Sequence, residues 1–303
     1  MGASGQGLTA IAAAPVRRRR LLPRNWPATV LFVGPLIVFV GAFLALPSLR
    51  LVVLAFSGDH GPTLRYVADL AQPQTLQAFA NSLAVSAISA AVGLGGGGLL
   101  AYLVLRPGAP RGLRTLVTSF SAVAANFAGV PLAFAFIATL GNLGMLTVWL
   151  RAIGIDLYGH GFSLFSLSGL VLVYAYFQIP LMVIVITPAI EGLRREWREA
   201  AEGLGASALA YWRHVGLPIL LPSLFSSFIL LFGNAFSAYA TPYALTSGNI
   251  ALVPIEISNV LSGNVMLSPQ TGAALALGMI VLMALVMLAS ALAMRRLSRR
   301  EPR

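Results

Sequence analysis

The chain of 303 residues contains no cysteine and no lysine, and only 10% of its residues are charged. The absence of cysteine excludes a disulfide framework, a thiolate nucleophile and a cysteine-based metal site. The absence of lysine excludes a P-loop, because that loop needs its lysine to reach the β- and γ-phosphates of a nucleotide. The three histidines are scattered, so we also expect no histidine metal site. These absences predict that the chain has no P-loop nucleotide site and no metal site of its own.

Apolar residues dominate the composition, at 58% of the chain with a mean hydropathy of +0.85, which exceeds the range of soluble domains. Six uncharged stretches are each long enough for a helix of about 20 residues across about 30 Å of hydrocarbon. They lack the alternation of barrel strands. The sequence therefore predicts an all-α integral membrane protein with six transmembrane helices, at residues 28–49, 78–105, 115–140, 167–190, 218–245 and 271–294.

The arginines indicate the orientation of these spans. Seventeen of the twenty lie near the two termini or in the loops after the second and fourth spans. If the spans alternate in direction, all these regions lie on one side, and the positive-inside rule makes that side the cytoplasm. Both termini are then cytoplasmic. The same distribution argues against nucleic acid as the reason for the net charge of +11.

Glycine and proline add local detail to the spans. Residues 95–98 are four consecutive glycines in the second span, which favour close helix packing; a gating hinge is the alternative. Pro131 predicts a kink in the third span. The first outer loop is long enough for a short surface helix at residues 63–70. Acidic residues are absent from the middle of every span, whereas proton-coupled carriers usually need them.

Residues 199–218 carry the most specific motif in the chain. Glu199, Ala200 and Ala201 precede Gly205, and nine residues later come Val215, Leu217 and Pro218. This spacing resembles the EAA loop of the permease subunits of ABC importers. Residues 77–293, with five helices and this loop between the third and fourth of them, also resemble the permease core of that family. The additional first span matches its six-helix version, so the resemblance implies the type I ABC importer permease fold.

The residues around the motif predict a bent structure, which we call the EAA segment, residues 191–218. Good helix formers and charge pairs spaced i to i+4 favour a helix at residues 191–204. Gly205 suits a helix stop that needs a positive φ. Ser207 can cap a second short helix at residues 208–214, and Pro218 suits the first turn of the fifth span.

The resemblance implies a role for the EAA segment in coupling to a separate ATPase. Residues 205–214 would be the helix that enters a groove of that subunit, with Ala208, Tyr211 and Trp212 as contacts and Glu199 at the rim. The translocation path would run along the third and fifth spans, although hydrogen bonding between helices is an alternative role for their polar residues. The implied ATPase-coupling residues are Glu199, Ala200, Ala201, Gly205, Ala208, Tyr211, Trp212, Val215, Leu217 and Pro218; the implied pathway residues are Asn126, Asn234, Ser237 and Tyr239.

The resemblance further implies a non-catalytic transport subunit in the bacterial inner membrane. Its partners would be two ATPase subunits that bind ATP and Mg²⁺, a second permease that is identical or related, an extracytoplasmic solute-binding protein and membrane lipid. The predicted organisation is a cytoplasmic tail at residues 1–27, a first span at 28–49, the permease core at 77–293 and a second tail at 294–303.

The substrate is predicted from a second resemblance. Residues 239–243, Tyr-Ala-Thr-Pro-Tyr, and residues 272–277, Gly-Ala-Ala-Leu-Ala-Leu, look like the polyamine branch of the family, which carries spermidine and putrescine. Related permeases for iron, thiamine, aminoethylphosphonate or sugar are alternatives. An ATP-independent secondary transporter or channel is the alternative from another class.

Overall fold

The structure is a computed structural model that describes residues 26–58, 61–106, 108–262 and 269–298, with side chains described from Val33 to Met294 within those ranges. It divides into two compact units, residues 1–50 and residues 51–303. The described residues form helices and one antiparallel hairpin of two-residue strands, β1 (Ser57–Gly58) and β2 (Gly61–Pro62). The helices are α1 (Trp26–Val40), α2 (Leu46–Ala55), α3 (Arg65–Ala68), α4 (Pro73–Leu105), α5 (Arg111–Ala124), α6 (Val130–Leu140), α7 (Met145–Ala152), α8 (Leu167–Glu191), α9 (Arg195–Gly203), α10 (Ala208–Tyr211), α11 (Leu217–Phe236), α12 (Ala240–Thr246), α13 (Val253–Leu261) and α14 (Pro269–Ser298).

Six helical stretches of the described chain are long and apolar enough to cross a bilayer. This finding confirms the predicted all-helical membrane fold with six transmembrane helices, whereas the cytoplasmic location of both termini stays a prediction. The six stretches are Val33–Ala55, Pro73–Leu105, Val130–Ala152, Leu167–Glu191, Ala208–Phe236 and Pro269–Met294.

The first stretch contains a π-helical turn, Gly41–Ala45, between α1 and α2. The backbone N–H of Leu46 bonds to the carbonyl of Gly41, five residues earlier. Pro47 follows directly, and in a regular α-helix its ring would clash with the carbonyl four residues back. The wider turn provides the space for the proline. The helical stretch therefore continues past the predicted end at residue 49 and reaches Ala55.

Helix α4 packs closely on α8 because its glycines leave room for the neighbouring backbone. A Cβ on Gly93 would lie 2.8 Å from the Cβ of Gln178, and one on Gly97 would lie 2.6 Å from the Cβ of Met182. Gln178 is fully buried, and its Nε2 donates to the carbonyl of Leu231 in α11 at 2.8 Å. These contacts support the packing interpretation for Gly97 of the glycine run and for the nearby Gly93.

The third span predicted at residues 115–140 is interrupted in the structure. The predicted kink at Pro131 within one continuous helix is therefore wrong. Helix α5 ends at Ala124, and α6 begins after Gly129, which has φ 76°. Pro131 lies in the first turn of α6, where a missing N–H costs no intrahelical hydrogen bond. The membrane-length stretch is consequently formed by α6 and α7 rather than by residues 115–140.

The fifth stretch also ends earlier than predicted, at Phe236 instead of residue 245. Residues 237–239 leave the helix, and the short helices α12 and α13 follow before α14. In the loop between the first two membrane-length stretches, α3 and a 3₁₀ turn, Asp69–Ala71, confirm the predicted surface helix.

Candidate functional site

In the EAA segment, the helix predicted at residues 191–204 begins only at Arg195, because the chain leaves the helical conformation between α8 and α9. Helix α9 ends in a Schellman motif. Gly205 has φ 78°, and its N–H donates to the carbonyl of Glu202 at 3.0 Å. The N–H of Ala206 donates to the carbonyl of Ala201 at 2.9 Å. These two bonds satisfy the last carbonyls of the helix and set the direction in which the chain leaves it. The predicted positive φ at Gly205 is confirmed.

The second helix of the segment is capped by Ser207, as predicted. Its Oγ accepts from the N–H of Ala210 at 3.2 Å. The prediction that this helix is a separate element at residues 208–214 is wrong, because α10, a π-helical turn (Trp212–Gly216) and α11 follow one another without interruption. The N–H of Leu217 reaches back to the carbonyl of Trp212. This wider turn immediately precedes Pro218 and accommodates its ring.

Ion pairs on α9 hold its carboxylates in place. Arg195 Nε lies 2.9 Å from Glu199 Oε1, and Arg198 Nε lies 2.8 Å from Glu202 Oε1. The hydrogen bond that Arg198 donates to Glu202 raises the pKa of the Arg198 guanidinium. Both pairs are exposed to solvent and add little stability. Their effect is to fix the carboxylate of Glu199 on the outer surface of the helix.

Two of the predicted contact residues pack against the protein itself. Tyr211 is only 6% exposed. The ring of Trp212 lies edge-on to that of Tyr102 at the end of α4, with 4.9 Å between centroids. Gly216 makes room for this arrangement, because a Cβ there would lie 2.8 Å from the indole ring. The aromatic pair therefore fastens the EAA segment to α4.

The outer surface of the bend carries two leucines that the sequence analysis missed. Leu204 is 89% exposed and Leu209 is 79% exposed, and Ala208 beside Leu209 is exposed as well. Both leucines lie in an otherwise charged and small-residue segment. Isolated leucines in such a segment indicate a contact surface, whereas the prediction was based on the aromatic residues. Leu204 and Leu209, with Ala208 beside them, are thus the most exposed apolar surface of the EAA segment.

The four predicted pathway residues are all exposed and lie near the two helix interruptions. Asn126 follows α5 and donates to the carbonyl of Ala122. Ser237 follows α11 and donates to the carbonyl of Gly233. Tyr239 accepts a hydrogen bond from Ser258 of α13 at 2.8 Å and stacks on Tyr243. Asn234 lies one turn before Ser237 on α11. The interruptions thus bring polar groups to the ends of helices that the sequence presented as continuous.

Two carboxyl groups outside the spans have shifted pKa values. Burial raises the pKa of the Glu256 carboxyl on α13. A backbone hydrogen bond from Gly159 lowers the pKa of Asp156, with a further contribution from Arg151. Among the residues that the structure describes, no group of three or more His, Cys, Asp or Glu side chains is arranged to hold a metal ion.

Several transport permeases are similar to this chain in sequence. Sulfate transport system permease protein CysW of Escherichia coli (strain K12) is 30% identical over 249 residues, 80% of each chain. Molybdenum transport system permease protein ModB of Mycobacterium tuberculosis (strain ATCC 25618 / H37Rv) is 29% identical over 181 residues, 59% of this chain and 63% of the relative. The spermidine/putrescine transport system permease protein PotC homolog of Mycoplasma pneumoniae (strain ATCC 29342 / M129 / Subtype 1) is 31% identical over 87 residues, 29% of this chain and 30% of the relative.

Solved structures share the fold. A bacterial ABC transporter involved in the import of the acidic polysaccharide alginate has a chain that superposes with a TM-score of 0.71 at 19% identity, over 90% of this chain and 96% of that one. The same transporter type in complex with an alginate pentasaccharide-bound periplasmic protein gives a TM-score of 0.68 at 20% identity, over 90% and 95% of the two chains.

The family comparison covers most of the chain. The family model described as binding-protein-dependent transport system inner membrane component matches residues 96–301, a range that includes the EAA segment, four of the described membrane-length stretches and the end of a fifth. The chain therefore belongs to this family, and it is a multi-pass inner-membrane permease subunit of an ABC importer.

Proposed function

We propose that a separate ATPase subunit drives this permease through the EAA segment. The observation that carries the proposal is the exposed surface of Leu204, Ala208 and Leu209, displayed on a bend whose backbone hydrogen bonds are satisfied. Exposed leucines on a rigid support are the type of feature that a partner buries. Glu199, held by Arg195, would lie at the rim of the contact. ATP and Mg²⁺ would be bound by the partner.

The continuity of α10 and α11 provides the mechanical connection. Residues 208–236 form one membrane-length helical stretch, so a displacement of Ala208 by the ATPase moves the fifth span with it. The contact between Trp212 and Tyr102 carries the same displacement to α4. The inward and outward states would each be favoured by differential contacts with the ATPase, since a partner that binds both states equally shifts no equilibrium.

We further propose that the complete importer contains two ATPase subunits, a second permease and an extracytoplasmic solute-binding protein. The periplasmic protein in the alginate transporter structure supports the last of these. The binding protein would deliver the solute near α12 and α13. The polar residues Asn126, Asn234, Ser237 and Tyr239 would line the path.

An oxyanion such as sulfate or molybdate is the substrate class that we favour. Two of the relatives above carry sulfate and molybdenum in their names. Within the six membrane-length stretches that the structure describes, the only acidic residue is Glu191, at the end of α8. A path without carboxylates suits an anion better than a polycation.

A polyamine is the second candidate. The match to the PotC homolog supports it, as does the exposed stack of Tyr239 on Tyr243, with ring centroids 5.2 Å apart. Aromatic faces attract ammonium groups through the cation–π interaction.

Transport in proteoliposomes tests the substrate. The permease would be reconstituted with its ATPase and binding protein, and uptake of labelled sulfate, molybdate and spermidine measured with and without ATP. We expect ATP-dependent accumulation of an oxyanion. Accumulation of spermidine alone would instead support the second candidate. Uptake that does not depend on ATP would contradict the coupling proposal and favour an independent carrier or channel.

The docking surface is tested by Leu209→Asp. We expect at least about tenfold weaker association with the ATPase, because a buried apolar anchor would become a charge. Leu64→Asp is the matched control, since Leu64 is 68% exposed just before α3 and lies outside the six membrane-length stretches. Equal ATPase retention by the two variants would contradict the proposed surface.

A further inference from the structure

An apolar groove runs along α4 next to the EAA segment. It has a volume of about 520 Å³. Its walls come from α4, α8, the π-helical turn at Trp212–Gly216 and α11. Gly95 and Gly98 form part of its floor. A Cβ on Gly95 would meet nothing within 4 Å, and one on Gly98 would meet only the Cε of Met182 at 3.8 Å. The close packing of α4 on α8 therefore requires glycine at Gly93 and Gly97 but not at Gly95 or Gly98.

The groove is nearly as long as one leaflet of a bilayer is thick. Its lining along α4 extends from Leu94 to Tyr102, which corresponds to about 12 Å of helix. One leaflet contributes about 15 Å of hydrocarbon. Tyr102 and Trp212 lie at one end of the groove, and these two residue types are enriched at the boundary between hydrocarbon and headgroups.

A basic cavity of about 190 Å³ adjoins that end. It shares Tyr102, Ile190 and Trp212 with the groove. The charged residues that line the cavity are Arg106, Arg194, Arg195, Arg198 and Glu191.

The basic cavity holds uncompensated positive charge. Glu191, its one acidic lining residue, is paired with Arg114. Among the described residues, neither Arg106 nor Arg194 forms an ion pair. Guanidinium groups bind phosphate oxygens through paired hydrogen bonds, and basic pockets between membrane helices accept anionic head groups.

We propose that an anionic phospholipid of the surrounding bilayer binds here, with an acyl chain in the glycine groove and its phosphate at Arg106 and Arg194. Charge complementarity selects the head group, and the length of the groove selects the chain. The lipid contacts Trp212 of the EAA segment, α4 and α11 together. It therefore stabilises the arrangement in which the EAA segment is fastened to α4, and the composition of the membrane acts on the permease at this point.

The proposal is tested by native mass spectrometry of the full chain in detergent, titrated with phosphatidylglycerol or with phosphatidylcholine of the same acyl chains. We expect the wild type to bind phosphatidylglycerol more tightly. The double variant Arg106→Gln/Arg194→Gln should lose about 25-fold in affinity for phosphatidylglycerol, about fivefold per arginine, and keep its affinity for phosphatidylcholine. The control Arg50→Gln/Arg65→Gln removes the same charge elsewhere and should bind as the wild type does.

The groove is tested separately by Gly98→Leu, whose side chain would occupy the position of the acyl chain. This variant should retain neither lipid, whereas Gly112→Leu, at another glycine with open space around its Cβ, should behave as the wild type. Equal affinity of the wild type for the two lipids would overturn the proposal, as would unchanged binding in the arginine variant. If Gly98→Leu fails to fold, the arginine variant alone decides. The measurement needs no nucleotide or substrate, so its outcome is independent of ATPase coupling.

Discussion

Gly129 and Thr241 lie 112 residues apart and join the two interrupted regions of the third and fifth spans. The N–H of Gly129 donates to Thr241 Oγ1 at 2.8 Å, and the same hydroxyl lies 3.4 Å from the carbonyl of Gly129. Thr241 is only 3% exposed. Irregular backbone at membrane depth must find partners within the protein. The threonine hydroxyl therefore makes the break before α6 possible.

We predict that Thr241→Val lowers the free energy of unfolding by about 1–3 kcal/mol, because it leaves the N–H of Gly129 without its acceptor. Denaturation of the purified protein in detergent measures the change. Thr241→Ser keeps the hydroxyl and should lose much less. Equal stabilities of the valine and serine variants would show that the hydrogen bond contributes nothing.

Adjacent glycines in α4 should respond in opposite ways to alanine. Gly97→Ala places a methyl group 2.6 Å from the Cβ of Met182 and against the carbonyl of Ile179, so we expect a loss of about 1–3 kcal/mol. Gly98→Ala makes only an ordinary contact and gains about 1 kcal/mol from helix propensity. Thermal unfolding of the two variants side by side checks this. A similar melting temperature for both would contradict the close approach of α4 and α8.

The bend of the EAA segment should fail in Gly205→Pro. Proline fixes φ near about −65°, whereas Gly205 has φ 78° and donates its N–H to Glu202. We expect the variant to assemble in the membrane but to lose ATP-dependent uptake, because the exposed leucines are displaced. Gly203→Ala, two residues earlier with open space around its Cβ, is the control. Full uptake by Gly205→Pro would count against the proposed coupling.

Glu256 should make stability depend on pH. Because burial raises the pKa of its carboxyl, the folded protein binds this proton more tightly than the unfolded chain. The associated stability is present below the unfolded pKa and is lost as pH rises through the folded pKa. Glu256→Gln should therefore be more stable than the wild type at neutral pH, with a flatter dependence between about pH 4 and pH 7.

Melting curves over that pH range measure the difference. Glu196→Gln, at an exposed carboxylate in α9, should leave the profile unchanged. A wild-type profile that keeps its slope in Glu256→Gln would assign the pH dependence to another group.

Local chemistry made several details of the EAA segment predictable. Gly205 adopts a positive φ and Ser207 caps the next helix, because each depends on only a few neighbouring residues. The inward packing of Tyr211 and Trp212 was not predictable in this way. It depends on Tyr102 and Gly216, and nothing in the local sequence shows that α4 ends beside this turn.

The sequence by itself determined that this chain crosses the membrane as helices and carries the EAA segment, since hydropathy over about 20 residues and motif spacing are properties of consecutive residues. Only the tertiary structure decided where those helices break, which leucines are left outside and which glycines face a neighbour or an open groove. The physical reason is that the N–H of Gly129 needs the hydroxyl of Thr241 as its acceptor, and Gly97 is required because Met182 packs against it. Such partners meet only when distant helices pack.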